Sequence, residues 1–66
     1  MKVMCNATVP DEKQMQNLGE CISIVGADFY IKGNTVFAEY DGTEEKGELL
    51  VDIFRQYPFH GVSILS

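Results

Sequence analysis

Residues Asp28 to Asp41 read Asp-Phe-Tyr-Ile-Lys-Gly-Asn-Thr-Val-Phe-Ala-Glu-Tyr-Asp. Two runs rich in aromatic and β-branched side chains flank Gly33-Asn34, which is a two-residue turn signal. With those two residues as the loop, Lys32 lies opposite Thr35, Ile31 opposite Val36, Tyr30 opposite Phe37 and Phe29 opposite Ala38. Successive side chains point to opposite faces of a strand. One face of this hairpin therefore carries Phe29, Ile31, Val36, Ala38 and Tyr40, and reads as core. The other carries Asp28, Tyr30, Lys32, Thr35, Phe37 and Glu39. It is mostly polar, with one aromatic pair standing in it.

Before the hairpin, Lys2–Val9 alternates, with Val3, Cys5, Ala7 and Val9 set against Lys2, Met4, Asn6 and Thr8. That is a half-buried strand. Small Cys5 and Ala7 suit a central strand crossed closely by a helix. Pro10 fits a first helical position, and Asp11 and Glu12 suit the positive end of a helix dipole. Met15, Leu18, Ile22 and Val25 recur at helical spacing with Cys21 beside them, and Ile24 alone breaks the pattern. Gly26 is a natural stop. Gly19 is the weak point, costing roughly 1 kcal/mol against Ala inside a helix. A rival reading ends the helix at Leu18 and makes Glu20–Val25 a strand. The longer helix is preferred because two helical turns do not cover half a sheet.

After the hairpin, Thr43 is a good N-cap with Glu44 and Glu45 in the first turn. Leu49, Leu50, Ile53, Phe54 and Tyr57 form an apolar stripe, from which Val51 points away. Pro58 ends this second helix. Phe59–Leu65 reads as a last short strand. The order strand, helix, strand, strand, helix, strand predicts an α+β chain with the ferredoxin-like split βαβ arrangement. Both helices would lie on one face of an antiparallel four-stranded sheet of spatial order 4-1-3-2, leaving the other face open.

Composition bounds what such a domain does. The chain has 66 residues, 45% hydrophobic and 23% charged, with ten acids against five Lys and Arg for a net charge of −5. It reads as one domain near the lower size limit, burying only about 60% of the surface of its unfolded form. The negative charge repels phosphate backbones, which argues against direct nucleic-acid binding. Met1–Val9 lacks the apolar run of a secretory leader. No apolar stretch approaches the ~20 residues needed to span a bilayer. A cytoplasmic protein with no membrane partner is expected, with Cys5 and Cys21 reduced and buried.

Four constellations of side chains could carry chemistry. The Tyr30–Phe37 pair on the open face has the geometry with which RNA-recognition domains stack bases. Asp28 and Glu39 sit opposite each other beside it and Lys32 is the only nearby base, so a protein partner or a second copy of the chain fits better. The bland alternative is a cross-strand pair that stabilises the hairpin by roughly 0.2–1 kcal/mol. Glu44, Glu48 and Asp52 line one side of the second helix, where a phosphate-mimicking strip is weighed against an ordinary solvated face. Asp28, Glu39 and Asp41 lack the dense loop spacing of a calcium site. Cys5, Cys21 and His60 lack metal-ligand spacing. No catalytic constellation is visible: the one arginine, Arg55, lies inside a helix, where the anion-binding loop of an acylphosphatase would not use it.

Ala7–Asp11 leading into an amphipathic helix is similar to the opening of ACT domains, which bind small molecules, but the glycine expected at that helix start is missing. No family is assigned. The sequence therefore predicts a non-enzymatic protein-binding module without cofactor or metal, anchored by Tyr30 and Phe37, with Asp28, Glu39 and Lys32 setting the charge. Two further readings are an ACT-like regulatory domain holding a small ligand between dimerised sheets, and an acidic mimic of nucleic acid that inhibits a basic protein.

Overall fold

A computed structural model describes all residues, 1–66. Six elements follow in order: β1 (Lys2–Thr8), α1 (Glu12–Val25), β2 (Asp28–Lys32), β3 (Thr35–Asp41), α2 (Glu44–Arg55) and β4 (His60–Ile64). The strands form one antiparallel sheet in the order β2-β3-β1-β4. This is the ferredoxin-like arrangement expected from the sequence, including its spatial order.

The hairpin register is also as read, with Tyr30 opposite Phe37 and Asp28 opposite Glu39. Gly33 takes φ 61°, while no residue other than glycine has a positive φ. That is the pattern of a II′ turn, whose twist matches the flanking strands.

α1 runs through to Val25, so the rival strand over residues 20–25 does not form. It starts two residues later than its proline suggests. Asp11 is the N-cap, its carboxylate accepting from the Lys13 N–H at 2.9 Å, and Pro10 precedes it. Gly26 closes the helix in the left-handed region at φ 88°. Its N–H donates to the Ser23 carbonyl and that of Ala27 to the Ile22 carbonyl, a Schellman ending with apolar Ile22 and Ala27 brought together. At the second helix Thr43 caps as expected, its hydroxyl accepting from the Lys46 N–H at 3.3 Å.

The core is wholly apolar. It joins Val3, Cys5, Ala7 and Val9 of the first strand and its exit to Leu18, Ile22 and Val25 of α1, Val36 and Ala38 of β3, and Leu50, Val51 and Phe54 of α2. Three sequence expectations are corrected here. Val51 is buried and Leu49 is half exposed, so α2 is rotated by about one residue from the expected stripe. Its buried face is Gly47, Leu50, Val51 and Phe54, an i, i+3, i+4, i+7 set in which the glycine holds a contact position. Cys21 is exposed and Gly19 is buried instead. A Cβ on Gly19 would stand 3.1 Å from Cζ of Phe29, so this glycine lets the ring of β2 approach α1. Finally, Phe29 and Ile31 point to the core side yet keep 38% and 47% of their surface, because β2 is the sheet edge and α1 only partly overhangs it.

Candidate functional site

The face of the sheet opposite the helices is built by the alternate residues of all four strands. Register fixes its rows. Lys32, Thr35 and Thr8 lie side by side across β2, β3 and β1. The next row runs Tyr30, Phe37, Asn6 and Gly61, and the one after it Asp28, Glu39, Met4 and Ser63. Beyond that, Asp41 faces Lys2. All five residues singled out from the sequence, Asp28, Tyr30, Lys32, Phe37 and Glu39, therefore share one surface.

Tyr30 and Phe37 stack with ring centroids 5.0 Å apart and planes inclined by 13°. Tyr30 keeps 62% of its surface and Phe37 is half buried. Stacked offset rings are a favourable arrangement of two aromatic quadrupoles, and they form a stiff, amphipathic plate at small entropic cost. Beside the rings lies a depression of ≈ 420 Å³, whose lining includes Met4, Asn6, Asp28, Tyr30, Phe37 and Glu39. A smaller one of ≈ 280 Å³ adjoins the acidic end, bordered by Lys2, Asp28, Glu39, Tyr40 and Asp41. The surface is thus polarised along the strands. One end carries Asp28 and Glu39, the middle carries the rings, and the other end carries Lys32.

The sequence adds one alternating set of the last strand to this surface without deciding which, and the register selects Phe59, Gly61, Ser63 and Leu65. Main-chain bonds to β1 continue beyond both ends of that strand, from Thr8 N to Phe59 O at 2.9 Å and from Leu65 N to Lys2 O at 2.8 Å. They carry the pairing to Phe59 and Leu65, both more than half exposed. Their alternation with His60, Val62 and Ile64 was the available signal.

The remaining chemistry-bearing residues lie elsewhere. No group of three or more His, Cys, Asp and Glu is placed to hold a metal ion. Cys5 is 2% exposed, and burial pushes its thiol up to about 11, against a weaker downward pull from the Arg55 guanidinium. Such a thiol stays protonated and inert. Burial also raises the Tyr57 hydroxyl, with the Cys21 thiol adding to the effect. His60 uses its ring structurally, Nδ1–H donating to the Tyr57 carbonyl at 2.5 Å where α2 hands over to β4. Glu44, Glu48 and Asp52 are exposed on α2, away from the open face. No helix is long and apolar enough to cross a membrane.

Compared with known proteins, the chain matches no family model, no curated protein and no solved structure, so the functional argument rests on the geometry of this surface.

Proposed function

We propose that the protein is a small non-enzymatic binding module that acts through protein–protein contact, with the open sheet face as its docking surface. The observation that carries this reading is the Tyr30–Phe37 stack, held at 5.0 Å on a surface no helix covers. A hairpin that needed only cross-strand stabilisation is served by β-branched pairs as well as by rings. Rigid aromatic plates with a polar rim are the composition of interface anchors. The acids Asp28 and Glu39 beside the stack favour a partner that brings an apolar projection flanked by Lys or Arg. They disfavour a polyanion.

The test compares the wild type with Tyr30→Ala and Phe37→Ala as bait for partners from the native host, with Glu48→Ala on α2 as a surface control. Partners captured by the wild type and by Glu48→Ala, but lost from both ring variants, support the docking surface. Hydrogen exchange in the resulting complex should show protection on β2 and β3. Capture that survives both ring substitutions removes the proposal. Capture that depends on Glu48 and collapses with salt would move the interface to the acidic strip of α2.

A further inference from the structure

We propose that the outer edge of β2 pairs antiparallel with the same edge of a second copy of this chain, about a twofold axis at Tyr30, to make one continuous sheet. The proposal uses the strand's edge rather than its face, and so stands apart from the reading of the open surface above.

The first observation is the phase of the main-chain hydrogen bonds. In a hairpin with a two-residue loop, the residues flanking the loop form a bonded pair, and bonded pairs then alternate. Here Lys32–Thr35, Tyr30–Phe37 and Asp28–Glu39 fall in that phase. The rest of the sheet agrees. The Val9 N–H points toward β3, to Asn34 O, while the Lys2 and Thr8 N–H groups point toward β4, to Ser66 O and Phe59 O. Phe29 and Ile31 consequently aim their N–H and C=O outward from the sheet. β2 is an edge strand, and every one of its residues is exposed. An open edge of this kind is a template for another strand.

The second observation is that the edge is complementary to itself in a single register. With the twofold axis through Tyr30, Phe29 comes opposite Ile31 of the second copy, and each trades both of its free main-chain bonds with that partner. Asp28 comes opposite Lys32 of the second copy, and Lys32 opposite its Asp28. Opposite charges directly across an antiparallel pair are favourable and like charges are not. Shifting the register by two residues brings Lys32 opposite Tyr30 or slides it past the end of the strand, which loses both ion pairs. The same pairing covers Phe29 and Ile31, the core-side residues that α1 leaves 38% and 47% exposed. On the opposite face it sets the two Tyr30 rings beside each other at the axis. The row then runs Phe37, Tyr30, Tyr30, Phe37 across both copies, and the partner copy completes an aromatic platform that one chain only begins.

The experiment is sedimentation velocity on the full chain from roughly 10 μM to 1 mM, since an edge contact this small belongs with weak interfaces. A mass rising toward twice that of the chain is expected. Lys32→Asp should weaken the dimer roughly tenfold, because it sets two like-charge pairs at the seam. Asp28→Lys should do the same, and the double variant should restore the dimer. Ile31→Pro removes an outward N–H and should leave a folded monomer. In a Cys21→Ser background, Tyr30→Cys should oxidise to a disulfide-linked dimer, because facing residues of a non-bonded pair are close enough to bridge. Phe37→Ala should leave the dimer intact, which separates failure of this pairing from failure of the open-face proposal. A monomer throughout the range overturns the inference, as does a dimer indifferent to both charge substitutions, or one lost on Phe37→Ala while untouched by Ile31→Pro.

Discussion

Val3, Cys5 and Ala7 vanish beneath the helices, whereas Met4, Asn6 and Thr8, each one peptide bond further along the same strand, look into solvent. The two faces of the sheet share their backbone and differ in what limits them. The covered face is limited by volume, because interiors are packed to the density of organic crystals and a missing methylene is felt. The open face is limited by charge and by the company its rings keep. In a chain of 66 residues the covered face carries nearly all of the stability, which leaves the open face free to be shaped for contact.

The sharpest way to break that division is Phe54→Ala. Phe54 is fully buried in α2, and its truncation should cost about 3–5 kcal/mol, a large share of what a small domain has. A urea titration followed by circular dichroism measures it. Gly19→Leu comes next, at roughly 1–3 kcal/mol, because its branches meet the Phe29 ring. Gly19→Ala should instead be neutral or gain up to about 1 kcal/mol, since β2 is an edge and the ring has room to give.

The two cysteines sharpen the same contrast. Cys21, which is exposed, should react with iodoacetamide in the folded chain, and Cys5 only through unfolding, as mass spectrometry of timed samples will show. Cys5 has a pH consequence too. Its folded value of about 11 lies above the ordinary thiol value of 9.0, so the folded chain retains a proton that the unfolded chain releases. The stability tied to it is complete below pH 9 and drains away as pH rises toward 11, a loss of roughly 2–3 kcal/mol. A Cys5→Ala variant should show a flatter alkaline limb in urea midpoints. The smallest stability effect belongs to the open face. Tyr30→Ala and Phe37→Ala should each cost only roughly 0.2–1 kcal/mol while removing partner capture. If either approaches the cost of Phe54→Ala, the rings are structural and the contrast fails.

What the sequence disclosed follows the same division. The hairpin, its register and the strand order were legible because Gly33-Asn34 fixes the loop and alternation fixes the faces. The aromatic pair was legible for the same reason. The rotation of α2 was not, because Leu49 and Val51 flank Leu50 on either side and both are apolar. Only the angle at which the helix crosses the sheet decides between them. Gly47 and Gly19 hid the answer: each reads as a helix breaker, yet each occupies the contact face, where its lack of a side chain admits Met1 and Phe29 respectively. Counting apolar residues passes over a glycine at an interface. The exposure of Phe29 and Ile31 was hidden differently, since alternation gives the side a residue faces and not how far a helix reaches over it.

The place of β1 has a consequence in time. It comes first in sequence and lies in the middle of the sheet, between β3 and β4. A chain emerging from its N-terminus must carry this strand unsatisfied until the hairpin arrives, and still half unsatisfied until His60–Ile64 follow. Such distant pairings slow folding, because the loop-closure entropy is spent before the contacts form. A nascent or truncated chain lacking β4 would leave β1 as a raw border, open to any stray strand nearby.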